Sequence, residues 1–388
     1  MPRGQDGIGK GCLPGGFITG GPKIDYNRKQ TLGWPAVLAL VVAMTLAAYL
    51  IAIAARGSGD TPLSSIVRLN TVSNRDVRVS GANVYYLEGG SLHCVTSGGK
   101  YVWNLGVDAN SEFSASEHGV AVWNRKKLTL VEKETGHLLT SKTMSGEILS
   151  AIVGDRYTAV VLAPEHNSTV VLLNSGGDVV DTLTSFGGYT VLDYGFYEGQ
   201  ELFWIMTLDS AGSTPTCQIS TFIPGKRETG TIEDSEQVIY QVMFRSNYIA
   251  AVGTNYLRLY DYTANEKKTQ RKTVYGWYMD AVDKRSDDPL MLFVPNQQVE
   301  GTIAISDVRM IRGSSEYIVR LPVVCSVLQA DGNTMYGFSQ EYLVCCAFGQ
   351  KKATVYKLPV LVDTVIGITT DHTAVVTSGG SIYLIRLP

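Results

Sequence analysis

The chain has 388 residues, 45% of them hydrophobic, with 40 Gly and 13 Pro, which suffices for one large domain or two ordinary ones. Charged residues make up 18%, below the roughly 25% of average soluble proteins, which fits a strand-rich chain with a membrane segment. A formal net charge of −3 leaves no global basic field, so nucleic acid is excluded as a partner at this level.

The first stretch, GQDGIGKG (4–11), has the G-x-x-x-x-G-K spacing of a phosphate loop but continues with Gly11 rather than Ser or Thr. No strand precedes it and no helix follows, so backbone amides are not aimed at a phosphate. Residues 1–32 read as a flexible tail. From Gln30 to Ala55 no residue is charged, and WPAVLALVVAMTLAAYLIAIAA (34–55) is almost wholly apolar. At about 1.5 Å per residue this run reaches roughly 33 Å, enough to cross the hydrocarbon core.

Ala52-Ile53-Ala54 resembles a cleavage site, but signal peptides carry apolar regions of only about 7–15 residues. An uncleaved transmembrane helix over 33–55 is therefore expected. Arg3, Lys10, Lys23, Arg28 and Lys29 precede it against Asp6 and Asp25, and only Arg56 follows closely. Basic residues are retained in the cytoplasm, so the tail is expected inside and the C-terminal part outside. Residues 56–63 form a linker.

Beyond Pro62 the chain consists of short strands and turns. Runs such as NVYYLEG, GVAVWN, YTAVVLA, ELFWIMTL and TAVVTS are rich in β-branched and aromatic residues. Aligned at Val84, Val120, Ala159, Leu202, Ile249, Leu292, Met335 and Ala374, they are 36, 39, 43, 47, 43, 43 and 39 residues apart. A period near 40 built only of strands predicts an all-β fold, a β-propeller of about eight four-stranded blades over 64–388. The boundaries around 323–358 are weak, which keeps seven blades open. Ser97-Gly98-Gly99, Ser175-Gly176-Gly177 and Ser378-Gly379-Gly380 punctuate these runs, since glycine takes positive φ without a Cβ clash. The last unit ends after three strands, so SSIVRLN (64–70) is expected to complete the last blade and remove its open edge.

Catalytic groups do not emerge. His93, His118, His137, His166 and His372 show no metal-ligand spacing. Asp283-Lys284-Arg285-Ser286-Asp287-Asp288 lacks the alternation and glycine of a calcium loop and reads as a solvated turn. Cys94, Cys217, Cys325, Cys345 and Cys346 fit buried small residues, although Cys345 or Cys346 could meet Cys325 from a neighbouring strand. No catalytic, cofactor or metal residue is assigned, and no cofactor is expected. Binding candidates are aromatics in inter-blade loops, namely Tyr189, Tyr275, Trp277 and Tyr278, which could stack on a sugar or a peptide. The competing role for Trp277, as for Trp103, Trp123 and Trp204, is packing between blades.

The basic tail, single span, eight weak repeats, TMYGFS (334–339) and SGGSIYLIRL (378–387) together resemble an uncharacterised family of Gram-positive bacterial membrane-anchored proteins with a propeller-like exported part. More widely, HCVTSGGKYVWNL (93–105) resembles the repeats of quinoprotein-like and WD-type propellers. The GH…WD pair of WD repeats is absent. A quinone-dependent dehydrogenase also needs calcium ligands and a catalytic carboxylate beside a pair such as Cys345-Cys346, and neither is recognisable. The resemblance implies a membrane-anchored extracytoplasmic module that binds or scaffolds a protein or cell-envelope partner. The alternative is an exported propeller enzyme, either a quinoprotein-type oxidoreductase or a glycan-active hydrolase or lyase.

Overall fold

A computed structural model describes residues 41–46, 61–63, 65–69, 71, 76–163, 169–184, 189–197, 201–296 and 304–388. Two compact units are present, residues 1–56 and 57–388. Of the first, residues 41–46 are described and are helical. The rest of the expected span over 33–55, the tail and the start of the linker lie outside the described residues. Among the described residues, no helix is long and apolar enough to cross a membrane.

The second unit is a propeller of eight blades, so the count of seven is excluded. Blade 1 comprises Val77–Ser80, Asn83–Glu88, Ser91–Thr96 and Tyr101–Gly106. Blade 2 comprises Glu112–Ala115, Val120–Asn124, Lys127–Val131 and Leu138–Thr143. Blade 3 is Ile148–Val153, Tyr157–Leu162, Thr169–Asn174 and Val179–Leu183, and blade 4 is Thr190–Tyr197, Leu202–Asp209, Thr216–Ile223 and Arg227–Asp234. Blade 5 is Ile239–Arg245, Tyr248–Gly253, Tyr256–Tyr260 and Lys272–Thr273, and blade 6 is Trp277–Val282, Met291–Pro295, Ile305–Arg312 and Ser315–Cys325. The weak region of the sequence resolves into blade 7, Val327–Asp331, Thr334–Phe338, Tyr342–Ala347 and Thr354–Lys357. Blade 8 contains Thr364–Ile368, Thr373–Ser378 and Ser381–Arg386, and its outermost strand is Ile66–Arg68. The first strand of every blade lies at one edge of its sheet, and first strands contact one another at the junctions of blades 1–2, 2–3, 4–5, 6–7, 7–8 and 8–1.

The apolar runs follow from this packing. A middle strand has a neighbouring blade on each face, so successive side chains enter different seams. Val120 and Val122 enter the seam with blade 1, beside Tyr85, Leu92 and Trp103. Ala121 and Trp123 enter the seam with blade 3, beside Ile148 and Val160. Outermost strands are more exposed, and Leu138–Thr143 contains no buried residue.

The turns between third and fourth strands lock successive blades. Gly99, Gly136, Gly177 and Gly225 all have positive φ, between 71° and 85°. Each also lies against the outermost strand of the preceding blade. A Cβ there would come within 2.7 Å of Val67, 2.6 Å of Trp103, 2.8 Å of Thr140 and 2.7 Å of Val180, respectively. Polar contacts reinforce the joints: Trp103 Nε1 donates to Lys133 O at 2.8 Å, and Lys142 Nζ donates to Gly177 O at 2.7 Å. Glycine is thus required twice over, for its conformation and for the close approach.

At the closure, Ile66, Val67 and Arg68 pair antiparallel with Ile385, Leu384 and Tyr383. Just upstream, Thr61–Pro62 runs parallel to Thr354–Lys357 as a fifth strand on blade 7.

The charged loop is a turn solvated only in part, with Lys284, Arg285, Asp287 and Asp288 exposed. Asp283 is buried, accepting the Gly332 N–H at 3.0 Å and the Arg285 Nε–H at 3.1 Å. Arg285 also pairs with buried Asp331, to which His372 Nδ1 is hydrogen-bonded at 2.5 Å. Asp287 accepts the Ser246 N–H and Asp288 accepts from Arg312, each at 3.2 Å. Asp283 thus ties blade 6 to blade 7 and Asp287 ties it to blade 5, Asp288 bonds within blade 6, and the Asp331–His372 contact links blade 7 to blade 8. The five described cysteines are free. Cys346 shares an apolar cluster with Cys325, whereas Cys345 lies against the cluster on the opposite face, toward blade 8.

Candidate functional site

The innermost strands of blades 3, 4, 5, 6 and 8 each carry a register break, around Leu149, Leu192, Tyr240, Asp280 and Ile366. A bulge re-aims the extra side chain: Tyr240 and Ile366 pack against the seams with blades 6 and 1, and Asp280 accepts the Leu328 N–H of blade 7 at 3.1 Å. Leu149 and Leu192 are accordingly left exposed despite lying in central strands. A cavity of about 700 Å³ is bounded by the innermost strands of blades 1, 7 and 8 and the end of that of blade 6, with Arg78, Lys284, Arg285 and Gln329 among its lining.

Asp193 follows the blade 4 bulge. Burial raises its carboxyl above the usual carboxylate range, while the Tyr194 N–H at 2.8 Å and the Lys284 charge partly offset this. A raised value means that the folded state disfavours the ionised form. That cost is absent when the group is protonated in both states and is complete once the pH exceeds the folded value. Asp193→Asn is therefore expected to raise the melting temperature at pH about 7, with the gain vanishing by pH about 3. Equal gains at both pH values would contradict this account.

At the end of the ring where the innermost strands begin, Tyr275 is 76% exposed and Tyr278 is 51% exposed. Their loop is firmly built. Tyr275 N donates to Asn255 O at 3.1 Å, Trp277 N to Val274 O at 2.8 Å, and Asn296 N to Gly276 O at 2.9 Å. Tyr278 stacks on Tyr240 of the neighbouring blade, with centroids 4.9 Å apart and planes at 19°. The Tyr240 hydroxyl in turn accepts the Met279 N–H at 3.0 Å. Aromatic faces fixed in this way present contact area at little cost in side-chain entropy.

Trp277 is half-buried against the apolar cluster between blades 5 and 6. Trp103, Trp123 and Trp204 are buried in seams, and Trp204 stacks on Phe244 of the next blade at 5.5 Å. Tyr189 lines a separate cleft between blades 3 and 4. The four candidate aromatics thus divide between two places. Tyr240 was not singled out in the sequence, although it occupies the second position of its innermost strand, as Tyr278 does one blade later. Among the described residues, no three His, Cys, Asp or Glu side chains gather as a metal site.

No protein-family model matches the chain, and no curated protein sequence is similar to it. Solved structures do share its fold. BamB from Moraxella catarrhalis superposes with a TM-score of 0.52 at 11% identity, covering 84% of this chain and 99% of the other. Sqt1 from Saccharomyces cerevisiae gives 0.54 at 10% identity, covering 85% and 100%. The WD40 domain of SCAP from fission yeast gives 0.54 at 9% identity, covering 83% and 98%. At such identities the likeness concerns the fold, and propellers of this kind host many functions.

Proposed function

We propose that the protein is a membrane-anchored, extracytoplasmic binding or scaffolding propeller. Its partner, a protein or another component of the cell envelope, docks at the channel mouth formed by Tyr240, Tyr275 and Tyr278. The observation that carries this reading is the exposure of Tyr275, on a loop fixed by three backbone hydrogen bonds, and of Tyr278, at the start of the strand that follows it. Interfaces concentrate binding energy in such rigid aromatic anchors. The uncharged stretch 30–55 and the basic residues before it support the anchor and its direction.

A photoreactive residue at position 275 in intact cells is expected to trap a discrete adduct that Tyr278→Ala reduces at least about tenfold. The same residue at exposed Leu138, on the outer rim, serves as the comparison. Identical adducts from both positions would remove the case for this face. Deleting residues 34–55 is expected to release the protein from the membrane fraction, and persistence there would refute the anchor.

A further inference from the structure

Blade 4 is longer than the blade that faces it. Its four strands have eight residues each, whereas the outermost strand of blade 3, Val179–Leu183, has five. The shorter strand leaves part of the facing sheet uncovered, and a cleft of about 460 Å³ opens there. That volume lies within the roughly 300–1,000 Å³ of small-molecule sites. Strand alternation sets Phe203, Ile205 and Thr207 on the cleft face with their cross-strand partners Phe222, Ser220 and Gln218. Phe203 and Ile205 close the apolar seam with Ala159, Val161, Val170 and Leu172. At Thr207 and Gln218 the same face turns polar.

The fold does not use these polar groups. Thr207 is only 2% exposed, yet its hydroxyl has no hydrogen-bond partner among the described residues. The same holds for the side chains of Gln218, Thr182, Thr184 and Tyr189, which line the cleft with it. Thr182 and Thr184 are exposed and Gln218 and Tyr189 half-buried, so these groups are hydrated in the open cleft and free to exchange water for an occupant. Glu228, on the outermost strand of the same sheet, already accepts the Thr231 hydroxyl at 2.5 Å, and Thr231 also meets Ser220 at 3.2 Å. Among the described lining residues there is no lysine or arginine to favour an anion. Tyr189 and Phe222 add flat apolar surface.

We propose that this cleft binds a neutral, hydroxyl-rich ligand, a segment of a glycan, with a sugar ring packed on Tyr189. Hydroxyls and a carboxamide both donate and accept, and so match sugar hydroxyls, which do the same. Because Glu228 is the one charged group among the described lining residues and is already engaged, a cationic peptide is the less well-matched occupant. The cleft is distinct from the tyrosine face, and either assignment can fail alone.

The test is calorimetric titration of the full-length protein in detergent with cellotriose, maltotriose and chitotriose, and with a lysine-rich peptide. At least one trisaccharide is expected to bind with a Kd between about 10 μM and 1 mM. Thr207→Val, which removes only the hydroxyl, and Tyr189→Ala are each expected to weaken it about tenfold. The melting temperature of Thr207→Val should match the parent, separating lost contacts from lost fold. The proposal is overturned if no trisaccharide binds at about 10 mM, if both variants bind as the parent does, or if only the peptide binds.

Discussion

Gly136→Val is expected to destabilise the propeller by about 2–5 kcal/mol, summing backbone strain and overpacking. The residue sits at φ +72°, a conformation that β-branched side chains scarcely adopt. A Cβ there would lie 2.6 Å from Trp103 Cδ2 and 2.8 Å from its Cγ. The indole has nowhere to retreat. It is buried, rests 5.9 Å from the Tyr85 ring, and is held by its bond to Lys133 O in the very turn that carries Gly136. Gly380→Val is the control, since Gly380 has φ +80° but nothing within 4 Å of an added Cβ. It should suffer the backbone strain alone, about 1–2 kcal/mol. Urea unfolding of the two variants reads the difference directly, and equal losses would show that the joint between blades contributes nothing.

The comparison of Gly136 with Gly380 also shows how far the sequence could be read. Eight units were legible because middle strands such as Val120–Asn124 and Tyr157–Leu162 are buried on both faces and so appear as continuous apolar runs. The three Ser-Gly-Gly turns looked alike, yet they are not equivalent. Those at 97–99 and 175–177 join third to fourth strands and dock on the preceding blade, whereas that at 378–380 joins second to third strands and leaves nothing within 4 Å of a Cβ added at either glycine. Identical residues carried no sign of which glycine meets a neighbour.

Candidate sites were legible only in part. Tyr275 and Tyr278 stood out because they lie in a loop between units. Tyr240 did not, since its stack on Tyr278 depends on blade-to-blade geometry and a bulge that no local pattern announces. Thr207 and Gln218 read as ordinary strand residues. Only the unequal lengths of two facing strands leave them uncovered, and that is a property of the pair of blades rather than of either sequence segment.

Leu69→Ala is the second change with a large expected effect, because the ring is closed without a covalent link. Three residue pairs join Ile66–Arg68 to the last strand of the chain, and Leu69 extends them by donating its N–H to Ile382 O at 3.0 Å. Its side chain, 4% exposed, is shared between Val77, Val84, Tyr86 and Val95 of blade 1 and Val375, Ile382 and Leu384 of blade 8. Truncating a leucine so placed costs about 2–5 kcal/mol. The consequence differs from that of an ordinary core truncation. Loosening this strand uncovers the edge of Ser381–Arg386, which then offers its unpaired backbone groups to another chain. The variant should therefore melt earlier and also associate in a concentration-dependent way, visible by light scattering before the main unfolding transition. Leu138→Ala, on an exposed outer strand, should change stability by less than about 0.5 kcal/mol and remain monodisperse. If Leu69→Ala instead behaves like Leu138→Ala in both measurements, closure does not depend on this strand and the ring must be held by its inner seams alone.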